Sequence, residues 1–190
     1  MNARTLTDAA VDQSIAPLRF LPFVEEALRD SDPWTQDYAK EAFVLKVAQG
    51  SVHAWDELRV HLADEAVKTA EREYLLNIAR LGKLFVDEAA ASRDTECAQI
   101  VLWLIKNDPS DKFLENPWCY DFAGEPYESV DRAWSKVLAD RPNEIQVLAN
   151  AADFLCLRYP ERAKSLFMRC RTLDPSNSVW SDRIAELDGS

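Results

Sequence analysis

The side chains with the greatest capacity for chemistry are two histidines, four cysteines and 33 carboxylates. His53 and His61 stand eight residues apart on one expected helix. At ~1.5 Å rise per residue they are about 12 Å apart, too far to ligate a single metal ion together. Glu57 lies between them, but a His and a Glu four residues apart carry no specific zinc or acid–base signature. Cys97, Cys119, Cys156 and Cys170 lack the close pair spacings of zinc and thioredoxin-like motifs. Three of them fall on apolar helical faces and read as small buried hydrophobes. If Cys156 and Cys170 flank a bend at Pro160, they are offset by roughly 9 Å along the helix axes, which disfavours a disulfide. Neither GxSxG nor GxxxxGK occurs. The expected chemistry is therefore recognition, with no catalytic residue, metal or cofactor.

The backbone expected to carry these side chains is helical. In 190 residues, 47% hydrophobic and 29% charged, the balance is that of one globular domain. Four glycines are too few for the frequent tight turns of a sandwich or barrel, or for a Gly-rich phosphate loop. A net charge of −11, spread along the whole chain, repels phosphate backbones and argues against nucleic acid. The longest apolar run, Ile100 to Ile105, is far short of the ~20 residues that span a bilayer. Asp8 and Asp12 interrupt what would be the apolar part of a secretory signal, so the expected compartment is the cytoplasm.

Prolines divide the chain. Pro109, Pro142 and Pro175 stand 33 residues apart, and each follows an apolar stripe with the same register. The stripes are Cys97, Val101, Leu104; Val130, Trp134, Val137; and Ala163, Phe167, Cys170. Helix periodicity accounts for the steps of four and three, but an internal repeat is needed to account for the constant distance to proline. Between Pro142 and Pro160, Ile145, Leu148, Ala152 and Leu155 share one face of a further helix, with a small-residue seam at Ala149, Ala151 and Ala152. The unit is a helical hairpin that buries its apolar face only by stacking on neighbours.

This pattern resembles the tetratricopeptide repeat family over residues 70–188. Leu148, Ala151-Ala152 and Leu155, followed by Ala163, Phe167, Cys170 and Pro175, stand at consensus positions. So do Ile78, Leu81-Gly82 and Phe85, with the Cys97–Pro109 segment as the partner helix. The resemblance implies an all-α fold of stacked antiparallel hairpins in a right-handed superhelix. It implies one helical domain, with divergent helices over 1–68 and repeats over 69–188. It also implies a concave groove lined by the first helix of each unit, offering Gln146, Asn150 and Asp153, with Arg183 falling 33 residues after Asn150. Asn and Arg at such places grip a peptide backbone or a carboxylate.

The slot for the second unit's first helix is irregular. Pro117, Gly124 and Pro126 prevent a full-length helix within 109–126, and Phe113, Trp118, Tyr120 and Phe122 crowd there. The favoured reading is rings packed over exposed core; the alternative is a recognition loop anchored by Trp118 and Tyr120. Upstream, Asp32-Pro33 opens a helix closed by Gly50, Ser51 opens another, and a short helix is expected after Pro22. Arg158, Arg162, Lys164, Arg169 and Arg171 form a basic stretch against Glu161 alone. The expected function is non-catalytic binding of a protein or peptide. Two alternatives stand beside it: an acidic stoichiometric inhibitor such as an immunity protein against a basic toxin, and a small hydrolase or metal enzyme hidden in the groove.

Overall fold

Asp32 shows how local sequence starts the helices. In the computed structural model, which describes residues 17–49, 58, 60, 70–86, 93–115, 120 and 122–189, its carboxylate accepts the Thr35 backbone N–H (3.2 Å) and hydroxyl (2.9 Å). Pro33 then occupies the first helical position, where its missing N–H costs nothing. All regular structure among the described residues is helical, and the chain divides into two compact units, Met1–Arg93 and Asp94–Ser190. That division falls inside the stretch read from sequence as one repeat array.

The first unit contains α1 (Pro17–Leu28), α2 (Pro33–Gln49) and α3 (Ala70–Val86). α2 is the middle helix and packs on both α1 and α3. Their core joins Phe20, Val24, Phe43, Val47, Leu58 and Leu75, all fully buried. Arg72 of α3 reaches Glu25 of α1 at 2.9 Å. The short helix expected after Pro22 instead begins at Pro17 and runs through Pro22. One lost backbone bond at Pro22 is offset by burial of Phe20, Leu21 and Val24 around it. Gly82 is the close approach of this unit: a Cβ there would stand 2.7 Å from Val44 Cγ1 of α2. The hairpin partner of α3 assigned from sequence, residues 97–109, belongs to the other unit, and within its own unit α3 packs on α2.

The second unit runs α4 (Arg93–Asn107), a single 3-10 turn (Lys112–Glu115), α5 (Glu125–Asp140), α6 (Ile145–Leu155), α7 (Pro160–Leu173) and α8 (Val179–Asp188). α4, α5 and α7 end two residues before Pro109, Pro142 and Pro175, so the 33-residue ruler is a ruler of helix ends. α6 packs on α5, α7 and the 3-10 turn, and α7 on α8. The three stripes read from sequence are buried except at Val137, which is half-buried. Where a full helix was excluded, the described residues include a 3-10 turn, opened by Asp111, whose carboxylate accepts the Phe113 N–H at 2.8 Å. The chain then enters α5 through Gly124, whose φ of 64° suits only glycine. Phe113, Tyr120 and Phe122 of this segment are all buried.

Candidate interaction surface

Gln146, Asn150 and Asp153 recur every three or four residues along α6, and helical spacing puts them on one face. The structure gives each a partner. Asn150 is fully buried, and its amide donates to the Pro109 carbonyl (2.9 Å) and the Asp111 carbonyl (3.0 Å). Its Oδ1 accepts from Gln146 Nε2 at 2.9 Å, and the same Nε2 donates to Glu115 Oε1 at 2.6 Å. Asn150, read from sequence as a groove residue open to a partner, thus holds the irregular segment onto α6. The physical reason is the missing helix: without one in that slot, the Pro109 carbonyl needs a side-chain donor, while the Asp111 carbonyl also accepts the Leu114 N–H at 3.1 Å.

Arg183 of α8 pairs with Asp153 of α6 and with Glu186 (3.0 Å), and lies 5.2 Å from the Phe167 ring centre. The Asp153 side chain is 10% exposed and that of Arg183 35%. Burial pushes the Asp153 carboxyl up to about 6, against the opposing pull of Arg183. Cys156 and Cys170 are free thiols pushed by burial up to about 11, so both stay protonated at neutral pH.

Tyr120, a partner anchor in the alternative reading of the irregular segment, lies in the core, where the favoured reading put the rings of that segment. Its hydroxyl donates to the Leu114 carbonyl at 2.7 Å and its ring meets Phe154 edge-on at 5.1 Å. Phe154 also stacks on Tyr127 at 4.5 Å. Trp118, His53, His61, Glu57, Cys119 and the proposed helix stop at Gly50 lie outside the described residues.

The basic stretch is largely engaged within the fold. Arg158 donates to the Phe122 carbonyl (2.9 Å) and sits 4.0 Å over the Tyr127 ring. Arg162 pairs with Asp131 (3.0 Å), Lys164 with Asp188, and Arg169 bonds the Asn143 side chain (2.9 Å). These cations fasten α7 and its leading turn to neighbouring elements.

One feature escaped the sequence reading. Leu102, Ile105 and Pro109 face Ala133 and Val137 across a groove of about 290 Å³ between α4 and α5. The run Ile100 to Ile105 was its signal, because an unbroken apolar run wraps a helix and leaves it apolar on more than one side. No family model, curated protein or solved structure matches the chain.

Proposed function

We propose that the chain is a non-catalytic protein-interaction module, a divergent array of the tetratricopeptide kind, and that the face formed by α6 and α8 receives an acidic group of a partner protein. The observation that carries this reading is the Asp153–Arg183 pair bridging the two helices. Arg183 keeps a third of its side chain open, while Asp153 occupies it as a buried carboxylate whose ionised form is disfavoured by burial. A partner carboxylate reaching Arg183 from solvent substitutes for Asp153, whose burial then favours its uptake of a proton. Gln146, half-buried one turn beyond Asn150, extends the same face.

The test is affinity capture from the native host with wild type and with the double variant Asp153→Asn/Arg183→Gln. Removing both charges leaves no buried ion alone, so the double variant should melt close to wild type while losing the captured protein. Capture undiminished by the double variant would contradict the reading.

A further inference from the structure

The groove between α4 and α5 is independent of the α6–α8 face. Its walls are one stripe of each helix, Leu102, Ile105 and Lys106 opposite Ala133, Lys136, Val137 and Asp140, with Pro109 just beyond the end of α4. Its floor is aliphatic, with Ile105 buried and Leu102, Ala133 and Val137 half-buried. At about 290 Å³ it falls just below the range of roughly 300–1,000 Å³ that takes a drug-sized molecule. Side-chain-sized apolar groups fit it better than a cofactor does.

The rim carries the opposite charge from the chain. Lys106, Lys136 and Arg141 line it against Asp140, in a protein of net charge −11. Arg141 is shared with Glu144 at 3.4 Å. Lys106 and Lys136 are exposed and form no ion pair among the described residues. Two exposed lysines above an aliphatic floor match a ligand with apolar side chains on one face and carboxylates flanking them.

We propose that the α4–α5 groove is a docking site for an acidic amphipathic segment of a partner protein, its apolar side chains on Leu102, Ala133 and Val137 and its carboxylates on Lys106 and Lys136. A helix laid in a groove presents side chains in this way, with anchors at every third or fourth residue. Rim charges set the approach and the salt dependence, while the apolar anchors set the residence time.

The test uses the full chain, labelled for NMR, and two synthetic peptides of ~15 residues with Leu anchors at helical spacing, one carrying Glu and one Lys elsewhere. The Glu peptide should shift the resonances of residues 102–109 and 133–141 saturably, and the Lys peptide should not. Salt should weaken binding, and Lys106→Glu/Lys136→Glu should weaken it about tenfold or more with the melting temperature unchanged. Asp153→Asn/Arg183→Gln should leave it unaltered, which separates this site from the α6–α8 face. Equal binding of both peptides, shifts confined to other surfaces, or the same shifts produced by polyuridylate or by anionic vesicles would overturn the proposal. So would self-association of the chain through these residues at rising concentration.

Discussion

Asn150 turns on a single question of accounting, namely where the carbonyls of Pro109 and Asp111 find donors. Both accept from one buried amide, and Asp111 also accepts the Leu114 N–H at 3.1 Å. Asn150→Ala therefore leaves the Pro109 carbonyl unpaired, while the Asp111 carbonyl keeps the Leu114 N–H, and should cost about 1–3 kcal/mol, read as a shifted denaturant midpoint. A midpoint within error of wild type would mean that another donor serves the Pro109 carbonyl. Sequence alone placed Asn150 on the correct helix face but read it as open, because its partners lie about 40 residues away along the chain. Asp153 makes a second residue-scale prediction. Its carboxyl titrates near 6 in the folded chain against an ordinary 3.8, so between these values the folded state holds more protons than the unfolded one. Its contribution to stability is therefore undiminished below about pH 4 and declines as pH rises toward 6. Unfolding free energies of wild type and Asp153→Asn, compared from pH 4 to 7, should diverge in that sense; parallel curves would contradict the shift.

At the scale of elements, the helices follow from local signals that could be read directly. Asp32 caps α2, Pro160 opens α7, and three stripes ending at prolines become three buried helix faces. Pro22 misled because burial of its neighbours outweighs one missing bond, and that burial is tertiary. Gly82 was legible as a packing position, but its neighbour was not: the close approach is to Val44 of α2. Alanine there gains roughly 1 kcal/mol of helix propensity yet meets a stiff β-branched side chain. Gly82→Ala should therefore be destabilising on balance, and Val44→Ala in the same chain should relieve the clash and recover stability. A stabilised Gly82→Ala single variant would show that α2 and α3 can part at little cost. The α4–α5 groove belongs to this scale too, since its two stripes are visible in sequence but their confrontation is not.

For the whole molecule, the all-helical architecture was legible from glycine scarcity, stripe periodicity and the proline register. The division at Arg93 was not, because the register of the segments on either side of it resembles one hairpin. The second unit carries its own buried aromatics, with Phe154 between Tyr120 and Tyr127, and its own fastening ion pairs. Residues 94–190 alone should accordingly melt in one cooperative, helix-dominated far-UV transition. A gradual, uncooperative loss of helix would tie that core to the first unit. With the chain acidic and its basic stretch largely engaged within the fold, the openings proposed for recognition are Arg183 on α8 and the lysines above the α4–α5 groove.

The most direct test of the interaction module is photo-crosslinking in the native host from a photoreactive phenylalanine at position 146, on the same face of α6 as Asp153. The account predicts one discrete covalent adduct with a partner protein, lost when Asp153→Asn/Arg183→Gln is added. Absence of any adduct from position 146, with adducts formed from other surface positions, would contradict it.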